Sequence, residues 1–309
     1  MSKLEAAMKA VVLTGYGDVE KLELREVDEP RPGPRQIKVA VAGASINPID
    51  WKIRRGELRT MLPLQLPTIL GRDVSGVVVA VGRDVREFAV GDRVMGLVQH
   101  GYAELVVASV DSFAKLPPEI ETDQAAAIPL AGLAGSQLVE EAVEVRAGDK
   151  VLVTGAVGSV GRVAVCVAKQ HGAQVIAGVR ASQRAAAERL EVDAVVALDD
   201  PDEVGRLPQV DAIADTIDGQ VLASLLEKVK RGGIVGTVQS APDNAGDHGL
   251  RVHAILAHPD PDQLARLGDA VVRGDLVLPV DRRFPLSDAS TAQQVAEAGG
   301  VGKILLVPT

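Results

Sequence analysis

Three glycines spaced by three, Gly155, Gly158 and Gly161, stand between a β-type run, Val151-Leu-Val-Thr154, and an apolar stretch, Arg162-Val-Ala-Val-Cys-Val-Ala-Lys169. Such residues in this order suit a pyrophosphate. The chain must turn sharply out of a strand, a bare backbone must let the phosphates approach, and the next helix must aim its free N–H groups at them. Gly155, Ala156, Gly158, Ser159 and Val160 are therefore the candidate phosphate cradle. An ordinary strand-to-helix turn that binds nothing has the same glycine spacing. A dinucleotide is favoured by the strand before, the helix after and a second strand at Ala173-Gln-Val-Ile-Ala-Gly178. An NAD-preferring site places an acid at the end of that second strand. Here no acidic residue occurs between Gly172 and Ala187, and the strand runs into Arg180-Ala-Ser182-Gln183-Arg184. A guanidinium grips a 2′-phosphate in a fork, where a carboxylate would repel it. Arg180, Ser182, Gln183 and Arg184 thus point to NADPH, against the competing reading of a solvated, basic helix start. Arginines at a helix N-terminus oppose the helix dipole, which gives them a purpose there if an anion binds too.

The elements that must carry this turn alternate. Strand and helix patterns follow one another at Val151–Thr154, Arg162–His171, Val175–Val179, Arg184–Leu190, Ala194–Leu198, Ala212–Asp215, Gln220–Lys230 and Gly233–Val238. That order predicts a doubly wound parallel α/β sheet over 124–257, introduced by an alanine-rich helical stretch from Gln124 to Val145. Residues 8 to about 123 read differently, as short strands broken by turns, with strands at Ala10–Leu13, Ile37–Ala42 and Val74–Gly82. The tail offers helices at Asp262–Val272 and near Ala289–Ala298, then a strand after Gly302-Lys303. The division expected is a β-rich unit from 1–123 and 258–309 around an inserted nucleotide-binding unit at 124–257. Met1 to Ala7, ahead of the first strand pattern, read as a mobile extension.

Composition removes several classes of function. The chain has 309 residues, a net charge of −9 and only 2% aromatic residues, which disfavours nucleic-acid binding by phosphate neutralisation or base stacking. No apolar run reaches the ~20 residues that cross a bilayer, and no signal peptide is evident, so a cytoplasmic protein without membrane association is expected. The single cysteine, Cys166, sits among valines and alanines as a buried, inert thiol and cannot build a cysteine-based zinc cluster.

With these motifs placed, the chain resembles the medium-chain dehydrogenase/reductase superfamily in its zinc-free quinone oxidoreductase branch. The resemblance covers Met8 to Val307. It rests on Ser45-Ile-Asn47-Pro48-Ile-Asp50-Trp-Lys52, Gly71-Arg-Asp73-Val-Ser-Gly76, Val90-Gly91-Asp92-Arg93-Val94 and Gly101-Tyr-Ala103-Glu104. Ala127-Ile-Pro129-Leu-Ala-Gly132, the glycine turn, Asp215-Thr-Ile-Asp-Gly219 and Gly302-Lys303 complete it. It implies a Rossmann sheet inserted in a GroES-like substrate domain. It also implies a homodimer through the last sheet strand, here Leu250–Leu256, and cofactor contacts from Asp215, Gly302 and Lys303. In resembling proteins the Asn of Asn-Pro-x-Asp lies beside the nicotinamide and the nearby Lys contacts the cofactor, which assigns catalytic roles to Asn47 and Lys52. Asp50 would orient Lys52 by charge. Trp51 is either a core aromatic or a wall of the substrate pocket.

Alcohol-dehydrogenase relatives carry a cysteine in the early loop and a His-Glu pair after the glycine at 71. This chain has Asn47, Asp50 and Arg72-Asp73 there, and its five histidines, at 100, 171, 248, 253 and 258, lack metal-ligand spacing. Without a metal, hydride transfer to an electron-poor alkene or quinone asks least of the protein, namely a donor for the developing enolate oxygen. The reading is an NADPH-dependent reductase of a small quinone, enone or enal. The alternatives are a polyketide-type enoyl reductase and a non-enzymatic, crystallin-like NADPH-binding protein. Three positions depart from the family pattern. Ala134-Gly135 replaces Thr-Ala, Asp200 replaces a Tyr, and Glu191 replaces a Gly.

Overall fold

The computed structural model of the chain describes residues 7–217, 219–241, 248–300 and 302–308. The expected N-terminal extension lies outside them except for Ala7, and so does Asp218 of the Asp215–Gly219 motif. The residues divide into two compact units, Met1–Leu130 with Pro259–Gly274 and Leu278–Thr309, and Ala131–His258 with Asp275–Val277.

The first unit opens with β1 (Ala7–Leu13), β2 (Leu22–Asp28) and β3 (Gln36–Ser45), followed by helix α1 (Pro48–Arg55). It continues with β4 (Thr68–Ile69), β5 (Asp73–Val81), β6 (Arg93–Leu97), β7 (Leu105–Ser109) and β8 (Phe113–Lys115). Helix α2 (Pro129–Gln137) then runs into π-helical turns at Leu138–Val143. The second unit alternates as expected: β9 (Lys150–Thr154), α3 (Ser159–Gln170), β10 (Gln174–Val179), α4 (Arg184–Glu188), β11 (Ala194–Ala197) and α5 (Pro201–Arg206). After these come β12 (Val210–Asp215), α6 (Gly219–Leu225), β13 (Val229–Thr237) and β14 (Arg251–Ala254). The tail, α7 (Pro261–Arg273), β15 (Val280–Pro285), α8 (Ala289–Ala298) and β16 (Lys303–Val307), returns to the first unit.

In the second unit six strands lie in the order β11-β10-β9-β12-β13-β14, and every pairing is parallel. This is a Rossmann sheet, whose order reverses beside β9, the strand that feeds the glycine turn. Its strands read as near-continuous apolar runs because helices cover both faces. Leu152, Ile176, Ile213 and Val235 join Leu222, Leu225 and Leu226 in one buried cluster. Helix α5 has no counterpart in the sequence reading, although its start is well marked. Asp200 accepts hydrogen bonds from the Asp202 and Glu203 N–H groups, and Pro201 holds the first helical position. The carboxylate of Asp200 is thus a helix cap.

In the first unit seven strands of the described residues run β15-β16-β3-β5-β6-β8, with β7 also on β3, and β2-β1-β4 form a smaller sheet. The inner face of β3 alternates, Ile37, Val39 and Val41 inward, and packs with Val74, Val78, Val94 and Phe113. Antiparallel pairing of β16 with β3 sets Leu305 opposite Ser45 and Leu306 opposite Ala44. That register brings the first residue of β16 to the loop that leaves β3.

Candidate active site

The loop after β3 builds a buried polar cluster. Asn47 caps α1, Pro48 supplies the first helical position, and Asp50 reaches back so that its Oδ2 accepts from the Asn47 N–H at 2.8 Å. This leaves the Asn47 side chain for other work. Its Nδ2 donates to Asp73 Oδ2 at 2.7 Å, and its Oδ1 accepts from Lys303 Nζ at 2.5 Å. The Lys303 ammonium also donates to Ser45 Oγ at 3.0 Å and lies 3.6 Å from Asp73 Oδ2. Asp73 takes the Ser45 hydroxyl at 2.5 Å and, through Oδ1, the Leu130 N–H at 2.6 Å. Ser45, Asn47, Asp50, Asp73, Tyr102 and Lys303 are all buried, none more than 5% exposed.

Tyr102 completes the cluster by donating its hydroxyl to Asp50 Oδ2 at 2.8 Å. It can do so because residue 71 is glycine. Gly71 has φ +96°, and a Cβ there would stand 2.3 Å from Tyr102 Cδ1. Burial pushes the Asp50 carboxyl up to about 7 and raises the Tyr102 phenol well above its ordinary range. The hydrogen bonds from Asn47 and Tyr102 and the Lys303 charge pull Asp50 back down, while Asp73 pushes it up. Burial lowers the Lys303 ammonium, and the charges of Asp73 and Asp50 oppose that shift.

Of the residues assigned here from sequence, Asn47, Asp50 and Lys303 come together. The ammonium bonded to Asn47 and acting on Asp50 is that of Lys303. Lys52 stands two residues beyond Asp50, about 200° around the helix, and is half-buried. Trp51, also half-buried, packs on the core of this unit. Gly302 is exposed and leads directly into β16. Ser45, Asp73 and Tyr102 stand in the sequence motifs with no role of their own assigned. The signal that could have promoted Asp73 was a carboxylate in a strand otherwise made of small and apolar residues, which has to be paired if buried.

The second unit carries the glycine turn. Gly155 has φ +62°, and a Cβ on it would lie 2.5 Å from Thr216 Oγ1. A Cβ on Gly161 would lie 2.1 Å from the Gly155 carbonyl oxygen, so helix and turn approach as closely as backbone allows. Gly158 caps α3, and Ser159, Val160 and Gly161 form its first turn, whose N–H groups have no acceptor within the helix. A glycine turn this tight, leading into the free N–H groups of a helix start, fits a dinucleotide pyrophosphate. Ala156 is fully buried beneath it. Asp215 is also fully buried, its two oxygens accepting from Thr154 Oγ1 at 2.6 Å and Thr237 Oγ1 at 2.8 Å. It ties together the carboxyl ends of β9, β12 and β13 below the cradle.

At the end of β10 the basic run splits. Arg184 is held by Glu203 at 2.5 Å and the Val195 carbonyl at 3.3 Å. Arg180 is exposed, with no ion pair to its guanidinium among the described residues. Gln183 accepts from the Arg180 N–H at 3.2 Å, and Ser182 is exposed. Cys166 is buried in α3. Among the described residues no group of three or more His, Cys, Asp and Glu is placed to hold a metal ion, and no helix is long and apolar enough to cross a membrane.

Known proteins match the chain in both of its units. The model of the alcohol dehydrogenase GroES-like domain matches residues 33–118, and that of a zinc-binding dehydrogenase family matches residues 190–306. A chloroplast envelope quinone oxidoreductase homolog of Arabidopsis thaliana is 29% identical over 97% of this chain and 98% of its own length. The solved structure of a quinone oxidoreductase from Coxiella burnetii superposes with a TM-score of 0.90 at 30% identity, covering 98% of this chain and all of that one. A mycocerosic acid synthase-like polyketide synthase of Mycolicibacterium smegmatis is 31% identical over 96% of this chain, which spans 15% of that longer protein.

Proposed function

This chain belongs to the medium-chain dehydrogenase/reductase superfamily, among its quinone oxidoreductase-like members, and from that premise we propose that it is an NADPH-dependent, metal-independent reductase of a quinone or α,β-unsaturated carbonyl. Membership of this superfamily implies a nicotinamide cofactor, which supplies a hydride when bound. The observation that carries the reading is the glycine turn at the start of a helix, with no room for a Cβ at Gly155 or Gly161. Gly155, Ala156, Gly158, Ser159 and Val160 would hold the pyrophosphate. Arg180 would grip a 2′-phosphate in place of the ribose-binding acid.

Asn47 and Lys52 are the donors proposed for the developing enolate oxygen, with Asp73 and Lys303 fixing the Asn47 amide between them. The polar groups gathered around Asn47 are an amide, an ammonium and a carboxylate already bonded to donors. They suit a substrate that gains negative charge on oxygen, and this donor set together with the single cysteine inside α3 supports a zinc-independent reaction. A second reading, reduction of a carrier-bound enoyl thioester, is favoured by the match to one segment of a polyketide synthase. A homodimer through β14 is also proposed. Among the described residues this strand pairs with β13 alone, at the sheet edge, and Leu256 just beyond it is 51% exposed.

The deciding experiment is a turnover screen of quinones, enones, enals and enoyl thioesters, with calorimetry of NADPH and NADH. NADPH is expected to bind at least ~10-fold tighter, about 1.4 kcal/mol, and Arg180→Ala to erode that preference. Equal affinities, or secondary alcohols oxidised as fast as any enone is reduced, would refute the proposal. NADPH binding without any turnover would favour a binding protein instead.

A further inference from the structure

The turn after β10 receives an acid from elsewhere in the chain. No acidic residue lies between Gly172 and Ala187, but β10 and β11 run side by side, with Val179 beside Ala197. The ladder continues one step further, the Leu198 N–H donating to the Val179 carbonyl at 2.8 Å. This register carries Asp199 alongside the turn, where its Oδ1 accepts from the Ala181 N–H at 2.8 Å. Asp200 is spent on the cap of α5. Two other donors near the turn are engaged as well. The Arg180 N–H donates to Gln183 Oε1, and Arg184 is held by Glu203, whose Oε2 also takes the Ala197 N–H at 2.9 Å. The Arg180 guanidinium and the Asp199 carboxylate remain, on neighbouring strand ends at the surface, with no ion pair to either among the described residues.

A Rossmann site reads the ribose at the end of its second strand, where an acid takes the 2′-hydroxyl or an arginine accommodates a 2′-phosphate. Here the arginine stands in the second strand's own turn, and an acid arrives from the third strand. We propose that Asp199 sets the limit of cofactor discrimination at this turn, as a resident carboxylate that competes with the 2′-phosphate of NADPH and leaves NADH nearly unaffected. The proposal rests on the dinucleotide reading above. A phosphate monoester carries roughly two negative charges at pH 7. Against it Asp199 acts twice. It fills the Ala181 N–H, a donor that a phosphate at this turn would use, and its charge cancels part of the attraction of Arg180, the residue before that N–H. A ribose 2′-hydroxyl is neutral and meets neither penalty. The preference for NADPH is therefore a difference between Arg180 and Asp199, smaller than the arginine alone would give.

Asp199→Asn keeps the shape, and a carbonyl oxygen for the Ala181 N–H, while it removes the charge. Asp199→Ala removes both. Calorimetry of NADPH and NADH binding to the wild-type chain and to each variant, at low and at high salt, tests the proposal without any turnover. In Asp199→Asn, NADPH is expected to bind at least about tenfold tighter and NADH within about threefold of wild type, with the NADPH gain shrinking as salt screens the charges. Asp199→Ala should gain at least as much. Unchanged affinities for both cofactors overturn the role of Asp199 and leave the dinucleotide reading standing. An equal gain for both places its effect on the shared part of the cofactor and overturns the proposal. A loss of NADH beyond about threefold makes Asp199 a ribose ligand and overturns it too. If the wild-type chain binds neither cofactor, the reading of that chain as an NADPH enzyme fails. NADPH binding gained in Asp199→Asn alone would then still uphold the competing carboxylate, and binding by neither chain would sink both.

Discussion

The polar cluster of the GroES-like unit and the glycine turn of the Rossmann unit are built on opposite principles. Around Asn47 the arrangement is built of side chains: two carboxylates, an ammonium, an amide, a serine and a tyrosine, buried and bonded to one another. At Gly155 it is built of bare backbone. The cluster joins residues 45, 47, 50, 73, 102 and 303, so it exists only when β16 returns to pair with β3. The turn is complete within seven residues. A site of the first kind is stabilised and poised by the same charges, and removing one strands the others. The turn has no room for a Cβ at Gly155 or Gly161.

Lys303→Met should separate the two most strongly. It leaves the Asp73 carboxylate without its cation and Asn47 Oδ1 without a donor, both buried. Breaking one partner out of a buried ion pair typically costs about 3–5 kcal/mol. Urea unfolding should show a loss of that order, with reductase turnover gone. A loss under about 1 kcal/mol would mean that the cluster is not the charged lock described here.

Asp50 offers a subtler break. Burial pushes its carboxyl up to about 7 from the 3.8 of an exposed aspartate, so the folded state holds the proton more tightly. The stability contributed by neutral Asp50 is therefore fully present below the lower value and is lost as pH rises through the upper one. Asp50→Asn cannot titrate. The stability of wild type relative to this variant should fall by on the order of 3 kcal/mol between about pH 5 and about pH 8. A difference that does not change with pH would show that Asp50 stays ionised throughout.

On the other side of the comparison, Gly155→Ala places a methyl 2.5 Å from Thr216 Oγ1 at a φ of +62°. Strain of about 1–3 kcal/mol is expected, with at least about tenfold weaker dinucleotide binding. The polar cluster should keep its own pH response in this variant. If binding survived unchanged, the turn would not be the phosphate cradle.

The same contrast explains what could be read without coordinates. The six-stranded sheet, the turn and the Arg180 region are local patterns, and strand, glycine and helix follow each other in the chain. Asn47 and Lys303 were found singly, each through its own motif. Their contact was invisible, because 256 residues separate them and only the β3–β16 register joins them. Arg184 shows the converse failure. A basic residue near a helix start suggested an anion, yet Glu203, one α5 turn beyond an unrecognised Asp200 cap, takes it. Once that helix is missed, its carboxylates cannot be assigned.

Glu191 gives the smallest effect and the sharpest comparison with Gly155, because both occupy the left-handed region. Glu191 sits at φ +53° in the turn after α4, its N–H donating to the Glu188 carbonyl at 3.1 Å. The left-handed conformation costs a residue with a Cβ roughly 1–2 kcal/mol. Glycine adopts it freely, although it loses more backbone entropy on folding. At residue 191, where the resemblance expects glycine, the side chain is exposed and no hydrogen bond to its carboxylate is seen among the described residues. A Cβ is therefore tolerated here at an energetic penalty, whereas at Gly155 one would collide with Thr216. Glu191→Gly should raise stability by about 1 kcal/mol, a shift of roughly 2 °C in Tm, without touching dinucleotide affinity. A lower Tm would mean that Glu191 makes an interaction worth more than its strain. A changed affinity would mean that this turn, like the one at Gly155, takes part in binding.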